Sequence, residues 1–190
     1  MRWRRLDVPG REEARIGQTA EGWRLTGELE VEEAGVRAQL VYVIECARDW
    51  RTRRAVVTDI TGVTGSAARA GAPIQFDFAA DGDGHWTLNG APLPLVEGAL
   101  DIDLGFTPAT NLLPIRRLDL AVGERADVRT AWVRFPKLRV EALEQSYQRE
   151  AARVFRYDAL VDGERFQARL DTDAFGRVLL YEGLWEAIPA

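Results

Sequence analysis

Two neighbouring runs of alternating residues constrain this chain more than any other feature. In residues 23–31 (WRLTGELEV) the odd positions are apolar or glycine and the even positions polar. Past Glu32, Glu33, Ala34 and Gly35 the pattern resumes on even positions, with Val36, Ala38, Leu40, Tyr42, Ile44 and Cys46 apolar. A period of two describes a strand with one buried face. The change of parity adds a register. In an antiparallel hairpin the two apolar faces coincide only when paired residue numbers sum to an odd value, and a short turn at residues 33–35 supplies that pairing. Leu25, Leu29, Leu40 and Tyr42 are therefore expected on one surface.

The even-numbered pattern recurs in Ile74/Phe76/Phe78, Leu100/Ile102/Leu104, Leu118/Leu120/Val122 and Phe166/Ala168/Leu170. Turn-forming residues separate many of these runs, among them 81–84 (DGDG), 89–90 (NG), 162–163 (DG) and 175–176 (FG). Spacing and turns predict about ten strands. The best helical pattern is residues 140–155, where Leu143, Tyr147, Ala151 and Phe155 recur every four positions; its second half also reads as a strand.

One-faced strands must bury that face against a second sheet or against their own sheet curled round. The expected fold is mainly β: a single domain over residues 1–190, built on a strongly curved antiparallel sheet. That sheet forms a half-barrel or barrel with an apolar concave face and few helices. A sheet of more than about eight strands leaves room for a ligand or an inserted segment. Trp23, Leu25, Leu40 and Tyr42 are the expected lining, and Gly27, on the same face, fits a bend or a close approach.

Composition narrows the partners. With 46% hydrophobic and 29% charged residues the chain reads as globular. Its 25 Lys plus Arg against 30 Asp plus Glu give a net charge of −5, with no basic stripe for a phosphate backbone. Nucleic acid is not an expected partner. Cys46 is the only cysteine, so no intrachain disulfide forms. No apolar run reaches the ~18 residues of a transmembrane segment, and Asp7, Pro9, Gly10 and Glu12 stand where a signal peptide would be apolar. The expected location is cytoplasmic.

Several residues are candidates for chemistry. Asp101 and Asp103 flank Ile102, so on a strand their Cβ atoms share a face roughly 7 Å apart. They suit an acid/base pair, or carboxylates bonded to Arg116, Arg117 or turn amides. Residues 107–118 (TPATNLLPIRRL) carry two prolines that keep them out of regular pairing, while Thr107, Thr110 and Asn111 satisfy backbone groups locally. They read either as a loop at a pocket mouth, with Asn111 and one arginine bonding a polar head group, or as a fixed crossover ending in a strand at Ile115. Cys46 and His85 read as a buried thiol and a turn histidine rather than a dyad. The six tryptophans, Trp3, Trp23, Trp50, Trp86, Trp132 and Trp185, serve packing or line a cavity. No phosphate-binding loop, dinucleotide fingerprint, nucleophile elbow or metal-binding helix is present, and no cofactor or metal is implied.

Taken together, Gly22-Trp23 with Gly27, Tyr42, Trp50-Arg51-Thr52, Gly84-His85-Trp86, the block 101–104 (DIDL), Thr107-Pro108, the block 110–118 (TNLLPIRRL), Gln145-Ser146-Tyr147 and 181–185 (YEGLW) give the chain a family likeness. It resembles the putative glycolipid-binding protein family, a bacterial group first described as a domain of unknown function. Ala109 and Glu182 depart from the pattern, where an aromatic residue and a proline are expected. The resemblance implies a curved-sheet carrier with acyl chains in an apolar concavity. Under it, Trp23, Leu25, Leu40, Tyr42, Trp86, Thr110, Asn111, Arg116, Arg117 and Tyr147 are the ligand-binding candidates. The expected function is non-catalytic binding of a lipid or glycolipid. The alternatives are a hydrolase or isomerase acting on a lipid-like or sugar substrate through Asp101 and Asp103, and an interaction module with a solid interior.

Overall fold

The computed structural model describes residues 1–64 and 72–189. Its strands are β1 (Arg2–Arg5), β2 (Gly10–Gln18), β3 (Gly22–Glu33), β4 (Val36–Ala47), β5 (Thr52–Asp59), β6 (Ile74–Ala80), β7 (Trp86–Leu88), β8 (Ala91–Pro92), β9 (Asp101–Leu104), β10 (Arg125–Arg134), β11 (Arg139–Ala151), β12 (Val154–Val161), β13 (Glu164–Thr172), β14 (Val178–Tyr181) and β15 (Trp185–Ile188). All belong to one 15-stranded sheet of order β8-β7-β6-β5-β4-β3-β2-β1-β15-β14-β13-β12-β11-β10-β9. The expected ten strands undercount because β1, β7, β8, β14 and β15 have four residues or fewer and show no clear alternation, whereas the equally short β9 is marked by Leu100, Ile102 and Leu104.

The hairpin of β3 and β4 pairs Leu29 with Leu40 and Leu25 with Ile44, the odd-sum register that parity requires. Glu33 pairs with Val36, leaving Ala34 (φ 51°) and Gly35 (φ 76°) as a two-residue turn, whose paired positive φ values match the twist of the flanking strands. Leu25, Leu29, Leu40 and Tyr42 are all buried on the concave side.

Every neighbouring pair is antiparallel except β9 and β10, which run parallel. A parallel pair demands a crossover. Here residues 105–124 provide it, carrying a 3-10 turn (Ala109–Asn111) and a short helix, α1 (Leu112–Leu118). Pro114 sits in the first turn of α1, where its missing N–H has no intrahelical acceptor to lose, and Asp119 ends the helix in the left-handed region at φ 44°. Leu112, Leu113, Pro114 and Ile115 are buried, so the crossover occupies the concavity.

Residues 93–100 carry the chain from β8, at one end of the sheet, to β9, at the other. The two ends meet locally: Thr52 N donates to Leu100 O (3.0 Å), Ile102 N to Thr52 Oγ1 (3.1 Å) and Gly98 N to Gly84 O (2.9 Å). No ladder joins them, so the sheet is curved and open and does not close as a barrel.

Three expected elements are corrected. Residues 140–155 form β11 and the start of β12, because a spacing of four is also an even multiple of the strand period and keeps Leu143, Tyr147 and Phe155 on one buried face. Leu118, Leu120 and Val122 do not form a strand: Leu118 ends α1, and the rest of the run follows as connection. Likewise the crossover does not end in a strand at Ile115, which lies within α1. Among the described residues, no helix is long and apolar enough to cross a membrane.

Candidate functional site

The centre of the concave face is polar. On β2, Glu12 and Ala14 point inward while Arg11 and Arg15 point out. Glu12 Oε1 accepts hydrogen bonds from Tyr42 Oη (2.5 Å) and from the Thr107 hydroxyl of the crossover (2.7 Å). Tyr42 reaches across because Gly27, its partner in the ladder, has no side chain: a Cβ there would lie 2.2 Å from the tyrosine ring. Glu12 Oε2 is buried and accepts no hydrogen bond from the described residues. Burial pushes the Glu12 carboxyl up to about 7 against the pull of the two hydroxyls and the nearby N-terminal ammonium.

A second polar group fixes the crossover to β9 and β11. Arg117 of α1 donates through Nε (3.1 Å) and Nη2 (2.6 Å) to Asp101, which is fully buried. Burial still raises the Asp101 carboxyl, with the guanidinium opposing it. Among the described residues, Asp103 has no cationic partner. Gln145 Nε2 donates to its Oδ2, Thr110 Oγ1 lies 3.4 Å from its Oδ1, and burial pushes it up to about 6. Tyr147 Oη donates to Asn111 Oδ1 (2.8 Å), and Asn111 Nδ2 to Pro108 O (3.2 Å). The expected polar face of β9 is thus interior: Asp101, Ile102 and Leu104 are all buried.

The crossover divides the remaining space. On one side lies an apolar cavity of about 320 Å³ between Trp3, Ile16, Leu25, Ala109, Leu112 and Val178, with Arg15 and Arg177 also on its wall. On the other lies a smaller one of about 160 Å³, bordered by Asp103, Thr107 and Asn111 and by the rings of Tyr157, Phe166 and Tyr181. Adjacent inward positions of one strand serve different chambers: Trp3 of β1 faces the first and Arg5 the second.

Of the residues singled out in the sequence, Trp3 and Leu25 line the apolar cavity, and Asp103, Thr107, Asn111, Trp132 and Trp185 line the smaller one. Leu40 and Tyr42 are fully buried core. Trp23 stacks on Trp50 at 4.5 Å, with Phe175 edge-on at 5.6 Å, and the Arg116 guanidinium lies over Trp50 at 5.4 Å. Trp86 donates its indole N–H to Ala99 O (2.9 Å), where the two ends of the sheet meet. Thr110, Arg117 and Tyr147 hold the crossover through the bonds above. Cys46 is buried, its thiol pushed up to about 12, while His85 is exposed and bonded to Asp81 at 2.6 Å. Among the described residues, no cluster of three or more His, Cys, Asp or Glu side chains is arranged to hold a metal ion.

Sequence reasoning missed Glu12, Tyr157 and Tyr181. The inward alternation of Glu12, Ala14 and Ile16 was a signal for β2, but a glutamate between Arg11 and Glu13 reads as solvated surface.

Comparison with known proteins agrees with this architecture. A crystal structure of a DUF1089 family protein from Pseudomonas aeruginosa is similar at a TM-score of 0.78 and 32% identity, over 93% of this chain and 92% of that one. No curated protein matches the chain. The family described as "Putative glycolipid-binding" matches residues 1–187. The chain belongs to that family.

Proposed function

We propose that the protein is a non-catalytic binder of a lipid or glycolipid whose acyl portion occupies the cavity between Trp3, Ile16, Leu25, Ala109, Leu112 and Val178. The observation that carries this reading is the cavity itself: about 320 Å³ of space with an aliphatic and aromatic wall, in the size range of small-molecule sites. Each buried methylene contributes about 0.8 kcal/mol, so about five of them offset the lowest estimate of the association entropy, about 4 kcal/mol. Arg177 stands on the cavity wall with its guanidinium partly in solvent and paired with Asp173 (2.6 Å), near a polar head group's way out, whereas the Arg15 side chain points to the outer face and pairs with Glu13. The paired-carboxylate alternative has less support, because Asp101 is committed to Arg117 and leaves Asp103 without a second free carboxylate.

Native mass spectrometry of gently purified protein and titration with a fluorescent fatty acid test the reading. Co-purified lipid or saturable binding is expected, with affinity reduced at least tenfold in Ala109→Phe, whose ring fills the cavity. Absence of both lipid and saturable binding in folded protein refutes it.

A further inference from the structure

We infer that the smaller cavity is a binding site for an uncharged, hydroxyl-bearing ring, the chemistry of a single sugar residue. It lies across the crossover from the apolar cavity, so the inference does not rest on the lipid reading.

Hydrogen-bonding capacity left unused by the fold converges there. The Asp103 carboxylate offers about four acceptor sites. The fold uses one for Gln145 and a second, at 3.4 Å, for Thr110. Asn111 accepts from Tyr147 and donates one of its two amide hydrogens to Pro108 O, leaving the other. The Thr107 hydroxyl donates to Glu12 and accepts from Ala109 N, which leaves one lone pair. All three side chains border the cavity. Acceptors and a donor on one side thus face a ligand able both to give and to receive hydrogen bonds.

The opposite walls are aromatic. Tyr157 packs edge-on against Phe166 (6.0 Å) and Tyr181 (5.8 Å), Trp132 and Trp185 add two more rings, and Leu143, Val161 and Leu184 fill the gaps between them. Such rings present apolar faces with polar tips, matching a cyclic polyol that has C–H faces and hydroxyl edges. Trp132 lies directly over Gly105, where a Cβ would stand 2.3 Å from its indole nitrogen. The absence of a side chain at Gly105 therefore lets the indole form part of the wall.

Charge disfavours an anion, and the spare Asn111 amide hydrogen calls for an acceptor that a simple cation lacks. The one cation among the described residues of the wall, Arg5, is already bonded to Asp7 (2.9 Å) and Glu33 (2.9 Å) and lies over the Trp185 ring at 5.3 Å. An anion would meet the Asp103 carboxylate without a free counter-charge. A cation would find two of the five rings already engaged, Trp185 by Arg5 and Trp132 by Arg134 at 5.1 Å.

Isothermal titration of the full chain with methyl α-D-glucopyranoside, methyl β-D-galactopyranoside and myo-inositol tests this, with choline chloride and inorganic phosphate as charged probes. Saturable binding of at least one of the three neutral rings is expected, weakened at least tenfold both in Asp103→Asn and in Phe166→Trp, which adds bulk at the cavity wall. Circular dichroism and melting temperature establish that each variant is folded. No saturable binding of any neutral ring overturns the inference, as does tighter binding of choline or phosphate, or unchanged affinity in both folded variants. Lipid binding without neutral-ring binding refutes this site alone; neutral-ring binding without lipid binding refutes only the apolar cavity's role.

Discussion

Glu12 carries the largest residue-scale consequence. Its ordinary value of 4.5 becomes about 7 in the folded chain. Below pH 4.5 both folded and unfolded chains hold the proton. Between 4.5 and 7 only the folded chain holds it, so stability falls as pH rises, and the loss is complete above 7 at about 3 kcal/mol. Asp103, raised from 3.8 to about 6, acts with the same sign over its own window. Thermal melts should therefore give a lower melting temperature at pH 8 than at pH 5, and the gap should shrink in Glu12→Gln, which no longer ionises. An equal gap in both proteins contradicts the assignment. None of this was legible in the sequence, because the partners that bury and bond Glu12, Tyr42 and Thr107, lie 30 and 95 residues away.

At the scale of elements, the crossover is held by one ion pair more than by its own length, since seven residues make a marginal helix. Arg117→Met leaves Asp101 buried and unpaired, and chemical denaturation should show a loss of about 3–5 kcal/mol. Adding Asp101→Asn should recover part of that loss. No recovery means that Arg117 acts through packing instead. What the sequence showed of the elements follows from their local character. The β3–β4 hairpin was legible down to its register because parity and turn chemistry lie within 25 residues of chain. The crossover's prolines declared it irregular, and its reading as a pocket-side segment named Asn111. Its helix stayed hidden, because Ile115 and Leu118 share a helical face while Leu118, Leu120 and Val122 mimic a strand. In β11 the buried polar Gln145 interrupts the apolar alternation, which left the spacing of four as the only visible period.

For the whole molecule, the β1–β15 ladder is the seam between two meanders, β1 to β8 and β10 to β15, the second extended by parallel β9. Trp3 reinforces that seam by donating its indole N–H to Val178 O of β14 (2.8 Å). Trp3→Ala should destabilise by about 3–5 kcal/mol and lower the melting temperature by about 10 °C. Unfolding followed by far-ultraviolet circular dichroism and by tryptophan fluorescence should remain a single coincident transition. Two separate transitions would mean that the meanders are independent units. The passage from β8 to β9 sets a further limit. Nine steps of extended chain, from Pro92 to Asp101, reach about 30 Å, whereas fifteen strands laid flat would span about 67 Å. The backbone is thus a chord shorter than the arc it subtends. A flat sheet is geometrically forbidden to this chain, and a hollow for the crossover and its two chambers follows from chain length before any side chain is chosen.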